Sequence, residues 1–460
     1  MPTQCSQPEM DFGSSGGRRL VGAFDGGAIS SNGGVVLLGA ADKRIGLSER
    51  LATCFTDHRN ANLVRHETAD LLRQRIFGLG LGYEDLIDHD ALRFDPALTA
   101  ALDKPGGALA GKSTLNRMEH AGKIGHDRHH KLDHDVSAIE RLFVDVFLES
   151  YREPPIRIVL DLDATDDRLF GLQEGRHFHG YYDCYCYLPL YIFCGRHLLA
   201  AKLRTSSVDA ADGSVDEVAR IVGQIRERWP TTSIVIRADS GFCRDDLMTW
   251  CEENNVKYVL GLAGNSRLHK RIARESRKAK LKSKRTGKPA RVFADFEYRT
   301  RDSWSAKRRV IGKAEWTQGE ANPRFIVTNV DPAFGAAQFM YERIYCQRGE
   351  MENRIKECQA DLFADRTPAP TSCRRRASGT MRANQLRLWL SSFAYVLMCA
   401  VRRIGLVGTD FERATCGTIR LQLLKIGALV TVSVRRVKLA FASACPAQEV
   451  FMLAQRRLCG

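Results

Sequence analysis

Three carboxylates far apart along the chain have the residue types and settings needed for chemistry. Asp163 ends the apolar run IRIVLDLDAT, and Asp239 ends the similar run TSIVIRADSGF. Glu352 lies in YCQRGEMENRIKE, one helical turn from both Arg348 and Lys356. Carboxylate oxygens suit Mg²⁺, for which Mn²⁺ can substitute, and two such ions can activate a nucleophile and stabilise a leaving oxygen. The pattern indicates metal-dependent chemistry on a phosphodiester, with the two cations contacting phosphate.

Ordinary structural roles compete with this hypothesis. Each aspartate could cap a turn at the end of its strand. Glu352 could belong to a solvated helix face, where i,i+4 ion pairs with Arg348 and Lys356 contribute about 0.2–0.5 kcal/mol each. The coincidence of the three carboxylates in one arrangement favours the chemical hypothesis over three separate structural roles.

The elements around the aspartates predict how they meet. A strand ending at Asp163 is followed by the hairpin YYDCYCYLPLYIF and HLLAAKLRT, then by the helix SVDEVARIVGQIRERW, the strand ending at Asp239, the helix RDDLMTWCEENN and the strand VKYVLGLA. A hairpin followed by helix–strand alternation predicts an α/β fold with a mixed sheet covered by helices. Neighbouring strands lie about 4.8 Å apart, so both aspartates can reach one sheet edge, and a helix packed on the sheet can bring Glu352 there.

Composition and patterning divide the chain into segments. The predicted organisation is a flexible N-terminus over 1–18, a mostly helical domain over 19–150 that binds DNA, a catalytic core formed by 151–265 and 336–402, a basic arm with a β-rich insertion over 266–335, and a basic C-terminal region over 403–460.

The positive charge is concentrated. The formal net charge is +15 and the pI is about 9.3. From Arg267 to Arg291 there are twelve Lys and Arg residues against one acid, Glu275, and the chain from Arg366 onward is similarly basic. We interpret the first of these stretches as a solvated or disordered arm. Such charge predicts a polyanionic partner, either nucleic acid or an anionic membrane surface. A basic module beside an acidic one is what a nuclease needs, because the first screens phosphates and the second concentrates carboxylates for metal.

Neither the apolar runs nor the cysteines point to a membrane or an oxidising compartment. The longest apolar run, Leu388–Val401, is shorter than the roughly 20 residues of a spanning helix and predicts a buried core helix. The N-terminus has no apolar stretch typical of a signal peptide. The fourteen cysteines include no C-x-x-C pair that would indicate a zinc site. Strand alternation places Cys184 and Cys186 on the same face of one strand, which favours packing in the core over metal binding. We expect reduced thiols and a cytoplasmic location, on the bacterial nucleoid.

Several blocks together resemble the DDE transposases of bacterial insertion sequences, in particular the insertion-sequence 1380 family, which is related to the insertion-sequence 4 group. The blocks are DLDATDD, GYYDCYCYLPL, RADSGF, YCQRGEMENRIKE and ANQLRLWLSSFAYVLM. The resemblance extends from about Arg19 to the end of the chain. It implies a ribonuclease-H-like core and cut-and-paste transposition, in which metal-dependent hydrolysis at terminal inverted repeats precedes attack of the 3′-OH on target DNA. It also implies a homodimer in the synaptic complex.

Residue by residue, the resemblance makes Asp163, Asp239 and Glu352 the catalytic metal ligands. Tyr345 and Arg348 match the tyrosine and arginine of the Y-(2)-R-(3)-E signature, and the resemblance implies that both, with Lys356, contact the phosphates of DNA.

Some positions depart from the family pattern or leave a choice open. Gln359 stands where the signature has a lysine, which leaves Lys356 as its substitute. Asp161 competes with Asp163 for the first aspartate, and Glu350 competes with Glu352 for the glutamate.

The predicted insertion contains an aromatic residue with two possible roles. Related enzymes use an aromatic residue there to stack a base flipped out of the transposon end. Trp304 is assigned that DNA-binding role as a hypothesis, against the alternative of a core tryptophan.

Two other functions stay open. The chain could be a ribonuclease-H-like nuclease that only cuts DNA. It could also be a DNA-binding protein derived from a degenerate transposase, and the irregular stretch RTPAPTSCRRRASGTMRANQ, which looks like a local insertion, is in line with that alternative. The presence of all three carboxylates weighs against it.

Overall fold

The computed structural model describes residues 9–120, 131–317, 319–369 and 380–460. Its strands are β1 (Met10–Ser15), β2 (Arg18–Gly22), β3 (Ile29–Ser30), β4 (Phe55–Asp57), β5 (Leu132–His134), β6 (Arg157–Ala164), β7 (Asp167–Arg168), β8 (His177–His179), β9 (Cys184–Tyr187), β10 (Leu190–Cys194), β11 (His197–Lys202), β12 (Ser233–Ala238), β13 (Lys257–Leu262), β14 (Ala290–Tyr298), β15 (Arg308–Thr317), β16 (Glu320–Ala321), β17 (Arg324–Thr328), β18 (Ala428–Val432) and β19 (Val437–Phe441).

The α-helices are α1 (Val35–Ile45), α2 (Leu47–Thr53), α3 (Thr68–Gly80), α4 (His89–Leu92), α5 (Pro96–Ala101), α6 (Lys112–Glu119), α7 (Val136–Glu149), α8 (Ser214–Arg228), α9 (Asp245–Glu253), α10 (Ser266–Arg271), α11 (Ala273–Thr286), α12 (Ala337–Phe339), α13 (Gly349–Lys356), α14 (Met381–Ala400), α15 (Cys416–Ile419) and α16 (Gln448–Cys459).

The chain divides into two compact units, each built from separate stretches of sequence. The first unit combines the N-terminal segment up to Glu49 with Asn60–Met118 and Ala400–Gly460. The second unit combines Arg50–Arg59 with Glu119–Cys399. This division differs from the predicted one, because residues 403–460 join the N-terminal helices and α7 joins the second unit.

Long-range pairing holds the first unit together. Strand β18 pairs with β3, with Ala428 opposite Ser30. Strand β18 also pairs with β19 in an antiparallel hairpin. The first eight residues lie outside the described part of the chain. From Met10 the expectation of a flexible start is corrected, since β1 and β2 form an antiparallel hairpin.

The second unit contains the predicted mixed sheet, with strand order β11-β10-β6-β12-β13-β17-β15-β14 and β16 paired to β15. Strand β6 is antiparallel to β10 and parallel to β12, and β13 is parallel to β12. One face of the sheet packs in a large apolar core with α7, α8 and α9. The other face packs in a smaller apolar cluster that includes Met340 and Tyr341. This arrangement is consistent with a ribonuclease-H-like core.

The predicted insertion over 266–335 extends this sheet, because β17 pairs antiparallel with β13 and β15 pairs with β17. The basic stretch is helical, forming α10 and α11, and this corrects the expectation of disorder, whereas most of its side chains are solvated as expected. The physical reason is that Leu268, Ile272 and Ala279 are buried in the large apolar core, which holds both helices against the sheet.

The segment YYDCYCYLPLYIF is not one strand, contrary to the prediction. It breaks at Pro189, and β9 joins β7 and β8 in a small separate sheet while β10 enters the large one. Cys184 lies on β9 with its side chain partly exposed, and Cys186 is buried. Every cysteine in the described residues is a free thiol.

Within the described ranges, one helical segment, Met381–Gly405, is long and apolar enough to cross a membrane by length and composition alone. About 78% of its most apolar window is buried inside the protein. Phe393 stacks on Phe143 with ring centroids 4.2 Å apart and an interplanar angle of 7°, and Tyr395 is fully buried. The prediction of a buried core helix is therefore confirmed.

Candidate active site

The register of two parallel strands places the predicted aspartates side by side. Strand β12 runs parallel to β6, and the register sets Arg237 beside Asp161. Asp163 lies two residues beyond Asp161, and Asp239 lies two residues beyond Arg237. Side chains two residues apart on a strand point to the same face of the sheet, so the side chains at all four positions lie on one face. Asp163 and Asp239 are therefore neighbours at the carboxyl ends of the two strands.

A helical segment crosses that face and carries the glutamate. It begins with α12 and continues as a π-helix over Met340–Tyr345, a 3₁₀ turn over Cys346–Arg348, α13 and a second π-helix over Glu357–Asp361. It thus starts at Ala337, before the sequence block YCQRGEMENRIKE that carries Glu352. Met351 is buried on the inner side of α13 while Glu352 is exposed. Single π turns inside helices often mark functional sites, because they re-aim the side chains that follow.

The structure brings the three predicted carboxylates to one cavity of about 450 Å³, lined by Asp163, Asp239 and Glu352 together with Arg348 and Lys356. The Arg348 guanidinium bridges two of them. Its Nη1 donates to Asp163 Oδ2 at 3.3 Å, and its Nη2 donates to Glu352 Oε1 at 3.1 Å. The i,i+4 ion pair expected for a solvated helix face is present, and it faces the cavity.

Backbone groups fix the orientation of both aspartates. Asp163 Oδ1 accepts a hydrogen bond from the Ala164 N–H at 3.0 Å. Asp239 Oδ1 accepts one from the Gly241 N–H at 2.8 Å, which caps the turn after β12. Burial raises the pKa of Asp163 to about 6, in spite of the opposing charge of Arg348. A nearby cation therefore stabilises the ionised form of the buried Asp163 carboxylate.

A divalent cation fits this cavity by donor chemistry, since hard cations take carboxylate oxygens. The carboxylates are not gathered around a common point, and among the described residues no group of three or more His, Cys, Asp or Glu side chains forms a ready metal cluster. Arg348 supplies the positive charge instead and competes with a cation for Asp163 and Glu352.

The structure separates the competing acidic positions. Asp161 is 5% exposed and does not line the cavity. It accepts two hydrogen bonds from Arg237, at 2.5 and 2.8 Å, and Arg237 also donates to the Ile344 carbonyl at 2.5 Å. Glu350 is exposed and is absent from the described lining of the cavity. Of the four acidic positions that compete, Asp163 and Glu352 are the two that face the cavity.

Tyr345 lies behind the carboxylates rather than in the cavity lining. A Cβ added at Gly261 on β13 would come 2.5 Å from Tyr345 Oη, so the hydroxyl packs directly on the glycine backbone. Burial raises the pKa of Tyr345, while its hydrogen-bond partner Arg348 opposes that rise. Tyr345 therefore supports Arg348 and closes the site from below.

Trp304, for which the resemblance predicts a base-stacking role, is a core residue. It is 4% exposed, and its ring meets Tyr298 edge to face with centroids 5.8 Å apart. Arg308 lies near the same ring, with Cζ 5.7 Å from the centroid. The predicted role is corrected, because neither ring face is open to a base.

Several cavity residues escaped the sequence analysis. His179, Tyr181 and Tyr182 line it from the β8–β9 connection. Gln359, which the sequence analysis singled out only as standing where the signature has a lysine, lines the cavity as well, and its Nε2 donates to Asp167 Oδ1 at 2.8 Å. The adjacent tyrosines in GYYDCYCYLPL were a sequence signal for a binding surface. A short turn has no periodicity, however, that predicts which way its side chains face.

A protein-family model described as "Transposase DDE domain group 1" matches residues 12–459 of the chain. No curated protein matches it.

Proposed function

Because the chain belongs to the transposase DDE domain family, group 1, we propose that it moves a bacterial insertion sequence by cut-and-paste transposition. The observation that supports this proposal is the convergence of Asp163, Asp239 and Glu352 on one cavity beside Arg348. The proposal includes a ribonuclease-H-like core, membership of the insertion-sequence 1380 group, and action on double-stranded DNA at the nucleoid.

Enzymes of this family generally use a divalent metal ion, which we propose is Mg²⁺, with Mn²⁺ as a substitute. When bound, the ion activates the attacking oxygen and stabilises the leaving 3′ oxygen. Asp163, Asp239 and Glu352 are the residues that would hold it.

The chain's own cations hold the substrate. Arg348 and Lys356 line the cavity, so both can contact the phosphates that flank the scissile bond. Arg348 is paired with Asp163 and Glu352, and a DNA phosphate offers the guanidinium a replacement partner that carries the same negative charge as the carboxylates. Substrate binding and release of the carboxylates are thereby linked through one side chain.

The helix α11 supplies a basic surface for the DNA backbone. Ala279 faces the sheet, whereas Lys278, Lys282 and Arg285 are exposed at i, i+4 and i+7 spacing on one face. Such a surface binds phosphates without reading sequence.

Changing Lys278, Lys282 and Arg285 together to Gln is expected to weaken binding of any duplex. The slope of log K against log salt should fall by about 0.9 for each DNA phosphate that the variant no longer neutralises. The measurement is fluorescence polarisation over a salt series. Arg228→Gln, at an exposed position on α8, is the control and should leave the slope unchanged. An unchanged slope in the triple variant would assign the helix to another partner.

A second prediction concerns the backbone beneath Asp239. A Cβ at Gly261 would lie 2.9 Å from the Ser240 nitrogen and 3.1 Å from the Asp239 carbonyl carbon. Because that backbone cannot move without shifting the carboxylate, Gly261→Ala is expected to lower DNA nicking at least tenfold, with an overpacking cost of about 1–3 kcal/mol. Gly223→Ala, where a Cβ meets nothing within 4 Å, is the control for both nicking and urea unfolding. Equal nicking by the two variants would contradict the placement of Asp239.

The first unit is proposed to read the transposon ends. It combines the N-terminal helices with the basic C-terminal segment, including the β18–β19 hairpin whose turn carries exposed Arg435 and Arg436. Two ends must be held together for transposition, so we propose a homodimer in the synaptic complex.

The proposal is tested with purified full-length protein and DNA that carries the sequences flanking its gene. Short inverted repeats should bracket the gene, and Mg²⁺ or Mn²⁺ should support cleavage at those repeats. Precut ends should then join to a target plasmid. Cleavage without joining would indicate a nuclease that only cuts, and binding without cleavage would indicate a degenerate transposase.

A further inference from the structure

The nine-stranded sheet has two edges, and the chain covers one of them. At β11, residues 198–201 are buried, and Gln385 of α14 bonds to the backbone at the end of the strand. Its Oε1 accepts from the Leu203 N–H at 2.7 Å, and its Nε2 donates to the Ala201 carbonyl at 3.0 Å. The opposite edge is β14, which is 9 residues long, and no strand of the described residues pairs with its outer side. Strand β14 is therefore an open edge.

The register shows which backbone groups of β14 face outward. The Glu315 carbonyl on β15 accepts a hydrogen bond from the Asn322 N–H at 2.9 Å, so the Glu315 backbone points away from β14. Glu315 lies opposite Arg291, and two residues at such a position turn their N–H and C=O groups away from each other. The direction alternates along the strand, so the outward groups belong to Arg291, Phe293, Asp295 and Glu297. Within the described part of the chain, none of these backbone groups has a hydrogen-bond partner.

The apolar layers on both faces of the sheet end half-covered at β14. On the neighbouring strand β15, residues 310–315 are buried. On β14 the apolar side chains are partly exposed. Those that border the large core are Val292, Ala294, Phe296 and Tyr298, and the one that borders the smaller cluster is Phe293. A further strand laid beside β14 would cover this rim and satisfy its backbone groups together.

Charged side chains can protect an open edge, but two of the three on β14 are paired inside the chain. Arg291 donates to Glu315, and Asp295 accepts from Arg309. Glu297 is exposed and forms no ion pair with any described residue. The edge therefore carries one unpaired carboxylate, near the end of the strand.

Two copies of β14 can pair antiparallel with every outward group satisfied. A two-fold axis at Ala294 sets Arg291 opposite Glu297 of the second copy, and it sets Phe293 opposite Asp295 of the second copy. The four residues with outward groups then form hydrogen-bonded pairs, and all 9 residues of the strand are matched. The unpaired carboxylate of Glu297 thereby meets a cation.

The neighbouring registers are less favourable. An axis at Asp295 would set two aspartates directly opposite each other, which is destabilising. An axis at Phe293 would set Glu297 opposite Pro289, which has no N–H to donate. A shift by a single residue would place outward groups opposite residues whose own groups already bond to β15. The strand thus favours one self-pairing register, which selects a second copy of this chain as the occupant.

We propose that two copies of the chain associate through β14, antiparallel about a two-fold axis at Ala294, so that their sheets join into one. The interface is isologous, as in most homodimers. It gives the homodimer of the proposed function a surface, but it needs neither a metal ion nor DNA cleavage, so the two proposals can fail separately. Because α11 packs on β14, the axis also brings the basic α11 helices of the two copies to the same face.

Cross-linking tests the register. Ala294→Cys places a thiol opposite its own counterpart at a non-hydrogen-bonded position, where Cα atoms are about 4.5 Å apart and a disulfide can form. Diamide is expected to give a covalent dimer, with a peptide linked through position 294 of both copies by mass spectrometry. Val292→Cys is the matched control, because Val292 lies on the same face and is also partly exposed but stands opposite Phe296 of the second copy. It should give no such link. Wild type, with its own exposed Cys346 and Cys459, sets the background.

Charge reversal tests the interface in solution. Full-length Glu297→Arg opposes Arg291 of the second copy, and we expect its dimer Kd to rise at least about fivefold, since two symmetric ion pairs become repulsive. Sedimentation velocity over a concentration series measures the Kd, in about 0.5 M salt to screen the two α11 helices. Glu320→Arg is the matched control, because Glu320 is also exposed but lies on β16, away from this edge. It should keep the wild-type Kd, and both variants should unfold at the wild-type urea concentration.

Three results would each overturn the inference. They are a wild-type chain that stays monomeric at every concentration, a covalent link formed equally by Val292→Cys, and a Kd that Glu297→Arg leaves unchanged. Metal-dependent nicking by wild type would still uphold the proposed function in all three cases.

Discussion

Replacing Asp163 or Asp239 by Asn, or Glu352 by Gln, is expected to lower metal-dependent DNA nicking by at least about 10³-fold. The amides keep the shape of the side chains and remove the negative charge that holds a divalent cation. A metal ion contributes several kcal/mol of charge stabilisation in the transition state, and each 1.36 kcal/mol is a factor of ten in rate. The measurement is conversion of supercoiled plasmid to nicked circles in Mn²⁺ at saturating protein.

Glu350→Gln provides the matched control for this series. Glu350 lies on the same helix, two residues before Glu352, and is not part of the described cavity lining. It should nick like wild type. All four variants should bind duplex DNA and unfold at similar urea concentrations, because Glu352 is half-exposed and the amides keep the shape and the hydrogen-bonding oxygen of each aspartate. Nicking at the wild-type rate by any one amide variant would show that the carboxylate replaced in that variant takes no part in the reaction.

Breaking the ion pair beneath the site is expected to have the largest effect on stability. Asp161 and Arg237 are 5% and 6% exposed, and they join β6 to β12 two residues before Asp163 and Asp239. Arg237→Met leaves Asp161 buried without its partner and removes a donor from the Ile344 carbonyl. Removing one member of a buried pair costs about 3–5 kcal/mol.

The double variant Asp161→Leu with Arg237→Met is expected to recover most of that loss, since an apolar pair of similar volume needs no desolvation of charge. Arg244→Met is the control. Its ion pair with Asp209 is 2.7 Å long but about half-exposed, so the expected cost is below about 1 kcal/mol. Urea midpoints followed by tryptophan fluorescence report on the second unit, which contains all five tryptophans. A cost for Arg237→Met no larger than that for Arg244→Met would contradict a supporting role for the buried pair.

The carboxylate edge could be predicted because its causes are local. Asp163 and Asp239 each end an apolar run, and strand spacing brings neighbouring strand ends together. The predicted hairpin, helices and strands around them also followed from apolar periodicity within each segment. Glu352 was placed by its helical setting, although periodicity gave no sign that the helical segment starts at Ala337 and includes two π turns.

Features that depend on distant partners could not be predicted. The pairing of β3 with β18 joins residues almost 400 positions apart, and neither short strand has a sequence feature that predicts the other as its partner. Trp304 has no periodic context that shows whether it is buried. The bridging of Asp163 by Arg348 requires an ion pair across 185 positions, and it became visible only when the helix was placed on the sheet. The aromatic turn at Tyr181 was hidden for the same reason, since turns carry no facing pattern.

Metal binding by the three carboxylates can be observed without any activity assay, in an anomalous diffraction map from crystals soaked in Mn²⁺. We expect strong peaks in the cavity, close to carboxylate oxygens of Asp163, Asp239 and Glu352, with the Arg348 guanidinium displaced from at least one of them. Peaks near none of these residues, or a well-occupied Mn²⁺ site built from other side chains, would show that the catalytic centre lies elsewhere.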